Sequence, residues 1–130
     1  MITIPISIGE LVDKLSILEI KKEYIKEKGK LFYIKNEYIL LYNIYENLCE
    51  KSYGESLKVL YNKLCVINKE LWSIEDNIRI KELNKEFDND FIELARKVYR
   101  TNDRRFNVKN EINILTKSNI TEVKSYEDYE

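Results

Sequence analysis

Leu57, Leu60, Leu64, Ile67, Leu71, Ile74 and Ile78 follow one another at alternating spacings of three and four without an error. Such alternation puts one apolar seam along a single long helix, as in coiled coils and bundle helices. Little in the chain interrupts helices: there is one proline, Pro5, and three glycines, Gly9, Gly29 and Gly54. The seam predicts a helix from about residue 55 into the low 80s, roughly 43 Å long at 1.5 Å per residue. A chain of 130 residues holding such a helix is expected to be elongated, and its length suits one domain.

The flanking segments carry their own signals. Ser7 stands three residues before Glu10, a capping-box spacing that predicts a helix start. Ile8, Leu11, Val12, Leu15, Leu18 and Ile25 continue at helical spacing, and Gly29 is expected to end that helix. Leu31, Ile34, Tyr38, Leu41, Tyr45 and Leu48 predict a second helix over about 31–51, with Lys51-Ser52-Tyr53-Gly54 as the turn into the third. Helices two and three are expected to form a long antiparallel, coiled-coil-like hairpin. Asp88-Asn89-Asp90 offers caps and negative charge for a fourth helix that runs to about Lys117. Residues 1–6 alternate Ile2, Ile4 and Ile6 around Pro5, which allows a short edge strand or an extended arm. Residues 118–130 carry a net charge of −3 and are expected to be a loose tail or to pack Tyr126 and Tyr129 on the bundle. The expected fold class is all-α, an elongated antiparallel helical bundle in a single domain spanning 1–130.

Composition removes several function classes. Histidine is absent, which excludes His-based triads, HExxH zinc sites and the zinc deaminase signature. Cys49 and Cys65 are too few for a four-ligand zinc or iron–sulfur site, and their apolar neighbours predict buried free thiols. Lys and Arg total 22 against 23 Asp and Glu, a net charge of −1, which disfavours a broadly basic nucleic-acid binder. No apolar run approaches the roughly 18 residues of a membrane span, and the opening Met1-Ile2-Thr3-Ile4-Pro5 lacks the basic region of a signal peptide. A reducing cytoplasm is the expected location. Ile, Lys, Asn and Tyr make 58 of the 130 residues, a skew that the codons of an AT-rich genome produce. Single Lys and Asn residues are therefore weak functional evidence, and the five arginines are stronger.

Four of those arginines lie close together. Residues 96–109 hold Arg96, Lys97, Arg100, Arg104, Arg105 and Lys109 against Asp103, a net of +5. The expected inward stripe of helix four runs Phe91, Leu94, Ala95, Val98, Asn102, Arg105, Lys109 and Ile112. It is apolar at both ends and polar in the middle. Buried charge needs partners, so the break must be a network, a bend or a pocket. The rigid guanidinium fork suits phosphate or carboxylate. On helix three, Glu75 and Arg79 stand at i,i+4 with Asp76 competing for the same guanidinium, and Trp72 is expected as a seam anchor. Asp13 and Lys14 of helix one are expected to close the network, and Lys22 to snorkel from the bundle end. A Mg²⁺ site for pyrophosphate hydrolysis would need Glu10 and Asp13, or Glu19 and Glu23, to converge with the acids of helix three.

Three blocks recur in a known pattern: IGELVDKLSILEIK over 8–21, LWSIEDNIR over 71–79 and FIELARKVYRTNDR over 91–104. With them the chain resembles an uncharacterised small all-helical domain family, about as long as this chain, found in bacteria and large DNA viruses. The resemblance implies no established activity. It implies recurring polar positions at Asp13, Lys14, Glu75, Asp76, Arg79, Asn102, Asp103 and Arg104.

The leading expectation is a non-catalytic helical protein that binds an anionic ligand or a partner protein. Its candidate ligand-binding residues are those eight together with Arg100, with no resident metal or cofactor. The alternative is a small helical enzyme whose Arg/Lys-lined pocket acts on a phosphorylated or carboxylated metabolite. It would work by charge stabilisation like a chorismate mutase bundle, or as a Mg²⁺-dependent phosphohydrolase. Tyr61, Cys65 and Trp72 form a second apolar stripe on helix three, which predicts a homodimer. Neither nucleic acid nor a membrane is an expected partner.

Overall fold

The apolar seam of the long helix closes mainly against the helix that follows it. A computed structural model of the protein, which describes residues 1–125, contains α1 (Ile8–Tyr24), α2 (Lys28–Cys49), α3 (Gly54–Leu83) and α4 (Asn89–Thr116). The most extensive packing is between α3 and α4, α1 packs on the other three helices, and α2 touches α3 only slightly. The long hairpin is thus α3–α4, where α2–α3 was expected. α2 reaches the bundle chiefly through α1.

Capping follows the sequence closely. Ser7 Oγ accepts from Glu10 N at 3.0 Å, and Asp88 Oδ1 accepts from Phe91 N at 3.0 Å. α1 stops at Tyr24 instead of near Gly29, because Ile25 turns extended as its N–H closes on the Lys21 carbonyl at 2.9 Å. Gly29 falls inside the first turn of α2. No strand occurs among the described residues. Met1–Pro5 form an exposed arm, since Pro5 lacks an N–H and no neighbouring strand is present to pair with. Tyr126 and Tyr129 lie outside the described residues.

The core joins all four helices. Val12 and Leu15 of α1, Tyr45 of α2, Leu57, Tyr61, Leu64 and Ile67 of α3, and Val108 and Ile112 of α4 form one buried cluster. Each fully buried leucine contributes about 1.5–3 kcal/mol. α1 also buries Gly9, Asp13 and Ser16, so it is enclosed on more than one face. Tyr61 is in the core, and Trp72 is half-buried against Tyr24 with ring centroids 5.7 Å apart. The second stripe of α3 is therefore covered in large part within the chain. Cys49 and Cys65 are free and half-buried, and burial pushes the Cys65 thiol up.

The hairpin has two parts. Between Ile74 and Thr101 no residue is buried, so the distal halves of α3 and α4 project as a two-helix tip. Phe91, Leu94, Ala95 and Val98 of the expected stripe are half-buried there. Lys81 fastens the turn, with Nζ 3.1 Å from Glu86 and 3.0 Å from Asp88.

Two glycines mark close approaches. A methyl at Gly54 would overlap the Cys49 carbonyl in the α2–α3 turn. At Gly9 it would sit 2.5 Å from the Lys109 carbonyl oxygen, on the line where α1 meets α4. Backbone cannot swing aside as a side chain can. Gly9→Ala is expected to cost roughly 1–3 kcal/mol, seen as a lower urea midpoint with an unchanged slope.

Candidate functional site

The polar break of α4 faces α1. Asn102, Arg105, Lys109 and Asn113 recur at three- and four-residue spacing, so they share one side of the helix. α1 runs antiparallel to it: Gly9 N donates to Asn113 Oδ1 at 2.7 Å, Glu10 pairs with Lys109, and Asp13 pairs with Arg105. With Ser118 Oγ accepting from Ile8 N at 3.2 Å, the first turn of α1 finds its acceptors at the end of α4 and in Ser7.

Asp13 is the centre. It is fully buried, and its two oxygens take Arg105 Nε at 2.9 Å and Arg105 Nη2 at 2.6 Å, a bidentate fork. Asn68 of α3 donates Nδ2 to Asp13 Oδ1 at 2.9 Å and to Ser16 Oγ at 2.7 Å. Ser16 Oγ in turn donates to the Asp13 carbonyl at 2.7 Å. One turn along, the buried Lys109 Nζ lies 2.8 Å from Glu10 and 2.8 Å from Glu122. Burial opposes the Lys109 charge, but the two carboxylates outweigh it and hold the ammonium above its ordinary 10.5. Burial likewise opposes the Glu122 charge, and Lys109 and Lys124 outweigh it, holding that carboxyl below its ordinary 4.5.

Arg105 borders two clefts. One, of about 270 Å³, lies between α1 and α3 at the edge of α4, with Ile17, Ile20, Leu71 and Trp72 as apolar walls and Asn68, Glu75, Asp76, Arg79 and Arg105 as polar lining. The other, of about 400 Å³, is lined by Asn102, Arg105, Phe106, Lys109, Glu122 and Lys124. Arg105 gives two of its five N–H groups to Asp13 and directs Nη1 at Asn102 Oδ1, 3.4 Å away. Two donors remain without a partner among the described residues.

The nine expected residues fall into separate places. Asp13 is in the buried centre. Glu75, Asp76 and Arg79 line the first cleft, with Arg79 Nη2 3.3 Å from Glu75 Oε2. Asn102 lines the second. Lys14 and Arg100 are exposed, Asp103 is half-buried, and Arg104 reaches Glu70 on the surface at 3.0 Å. They do not form one network, because Arg104 and Lys14 point off the faces that meet. The positive flank Arg96, Arg100 and Arg104 is exposed, with Arg96 held by Glu93 at 3.0 Å. Lys22 does not reach a central site; its Nζ sits 3.7 Å from the centroid of the Tyr38 ring.

The residues that complete the centre are Ser16, Asn68, Arg105, Lys109, Glu10 and Glu122. Arg105 and Lys109 were visible as the polar break. Asn68 had one usable signal, its place seven residues beyond the inward Tyr61. Glu122 had none, sitting in a tail without apolar period. Among the described residues no three Asp, Glu or Cys side chains gather as a metal site. Asp13 is committed to Arg105, Glu10 to Lys109, Glu19 to the Tyr38 and Tyr61 hydroxyls and Glu23 to Lys69, so neither expected acid pair converges with the acids of α3 among the described residues.

A profile of DUF6165, a family of unknown function, matches residues 2–129, and the chain belongs to that family. No curated protein and no solved structure matches it.

Two outcomes follow from the centre. Asp13→Ala strips a half-buried guanidinium of its partner and is expected to cost about 3–5 kcal/mol in urea unfolding. Because the Glu122 carboxyl titrates lower folded than unfolded, its contribution is present above pH 4.5 and fades as pH falls through the lower native value. Glu122→Gln should therefore flatten the acid limb of a melting-temperature profile and leave its slope near neutrality unchanged.

Proposed function

We propose that the protein is a non-catalytic binding module for a small organic anion, which enters the cleft between α1 and α3. The observation that carries this is Arg105. Asp13 locks its orientation, yet unused N–H donors remain at a cleft with an apolar wall. Ligand sites of this kind are mostly apolar, with a few fixed polar groups that set orientation. A carboxylate or phosphate would meet Arg105 and Arg79, and its organic body would lie along Trp72 and Leu71. Glu75 and Asp76 favour a ligand that also carries hydroxyl or amine donors.

The test is a thermal-shift and calorimetry screen of aromatic carboxylates, dicarboxylates and nucleoside diphosphates, with and without Mg²⁺. A binder should lose about tenfold or more in affinity on Arg79→Ala or Trp72→Ala and little on Arg104→Ala, since Arg104 is off the cleft. No binder in the screen, or a binder indifferent to both cleft variants, rejects the reading.

A second reading concerns self-association. Phe32, Tyr33, Ile39, Leu40 and Ile44 expose apolar surface on the outer side of α2, with Tyr33 at 74%. The chain exposes 9074 Å², against about 7,300 Å² for a compact monomer of its mass. We propose a homodimer packed through α2. Light scattering should give twice 15.7 kDa at high micromolar concentration, and Leu40→Glu should return the monomer mass. A wild-type monomer at that concentration rejects it.

A further inference from the structure

The second cleft holds a carboxylate that belongs to the chain itself. Glu122 comes from an irregular segment beyond α4, after Lys117 takes the left-handed conformation that ends the helix. Its two oxygens bridge two ammonium groups: Oε2 lies 2.8 Å from Lys109 Nζ, and Oε1 lies 3.0 Å from Lys124 Nζ. Oε2 is buried and, despite its distance, lacks hydrogen-bond alignment to any donor. The contact is one of charge, and Glu122 forms part of the wall of an open space of about 400 Å³ beside it. Arg105, with donors to spare, lines the same cleft and makes no contact to Glu122 within ion-pair distance.

We propose that this cleft is a binding site for the phosphate group of a free small molecule, and that Glu122 is its tethered internal occupant. With Glu122 seated, Arg105, Lys109 and Lys124 face Asp13, Glu10 and Glu122, three cations against three anions. With Glu122 withdrawn one positive charge is left over, shared between Lys124 and a buried Lys109 that keeps Glu10 at 2.8 Å. An incoming anion therefore replaces a charge already accommodated. A tetrahedral oxyanion suits the cleft better than a planar one, since it can bridge Lys109 and Lys124 while a third oxygen turns to Arg105. Asn102, at 3.4 Å from Arg105 through its carbonyl oxygen, has its amide donors left for the fourth. Release need move only the Glu122 side chain, while Lys124 in the same irregular segment stays over Phe106, with Nζ 5.7 Å from the ring centroid, to meet the anion. A tethered competitor lowers apparent affinity by its effective concentration, so the site is weak until Glu122 leaves. This cleft shares Arg105 with the α1–α3 cleft, and its probe is inorganic phosphate.

The experiment titrates the full chain with inorganic phosphate, by calorimetry and by amide chemical shifts, at matched ionic strength set with chloride. Wild type should bind weakly. Glu122→Gln, which keeps shape and removes charge, should bind phosphate about tenfold more tightly or better. Glu122→Ala should do the same, which guards against an effect peculiar to glutamine. Lys124→Ala placed on Glu122→Gln should give back most of the gain, with circular dichroism showing an intact helical fold. Acetate should bind the Glu122→Gln variant about tenfold more weakly than phosphate. Equal phosphate affinity in wild type and both Glu122 variants overturns the proposal, and acetate binding as tightly as phosphate overturns its assignment to phosphate. Arg79→Ala should leave this titration unchanged, so failure here is distinguishable from failure of the α1–α3 cleft.

Discussion

A carboxylate with no exposure to water, Asp13, holds a guanidinium on a different helix, and the arrangement of three helices depends on it. Apolar seams alone define which helices meet, because leucine and isoleucine contacts tolerate a slip of one turn. A slip of α1 along α4 would carry Asp13 away from Arg105 and leave two charges without partners. Such a state is several kcal/mol higher. The bidentate fork, the Asn68 bridge and the Gly9–Asn113 bond thus set a single register. Replacing the whole set by well-packed apolar residues need not lower stability, so its effect is on uniqueness more than on total free energy.

That register decides where cavities form. α1 ends at Tyr24, whose ring packs on Trp72, and beyond that point nothing covers α3 except α4. The four-helix base therefore gives way to a two-helix tip close to Glu75 and Arg79. The α1–α3 cleft sits at this step, where walls from the base meet side chains of the tip. The tip itself buries no residue and is fastened at its turn by exposed and half-buried ion pairs. It belongs to the low-stability end of the molecule.

Periodic features were legible in the sequence and relational ones were not. The seam from Leu57 to Ile78, the caps at Ser7 and Asp88, and the polar break at Asn102, Arg105 and Lys109 all follow from spacing within one helix. The choice of α4 over α2 as the partner of α3 does not. Both carry apolar stripes, and the outcome rests on how α1 inserts between α2 and the α3–α4 pair. The centre failed to be legible for the same reason. Glu10, Asp13, Asn68, Arg105 and Glu122 come from three helices and a tail, and each is an ordinary residue in its own segment. Asn68 is one of thirteen asparagines in a chain whose composition makes asparagine uninformative. The i,i+4 spacing of Arg96, Arg100 and Arg104 gathers side chains on one face without saying whether that face is inside. Arg104 and Arg105 are neighbours, yet one lies on the surface with Glu70 and the other in the centre.

Arg105 ties the buried centre to both clefts. Its Nε and one Nη2 hydrogen are fixed on Asp13, so the guanidinium plane cannot rotate to follow a ligand on either side. Only the outer donors are available, and they are shared between the α1–α3 cleft and the cleft of Glu122. If anions fill both proposed sites, they compete for the two remaining donors of one fork, and by linkage each weakens the other by the same factor. A lysine in that place would not impose this, because an ammonium lacks the planar fork that couples the two sides. That sharing of donors is a property of the arginine at this position, and it follows from the same two hydrogen bonds that set the register of the bundle.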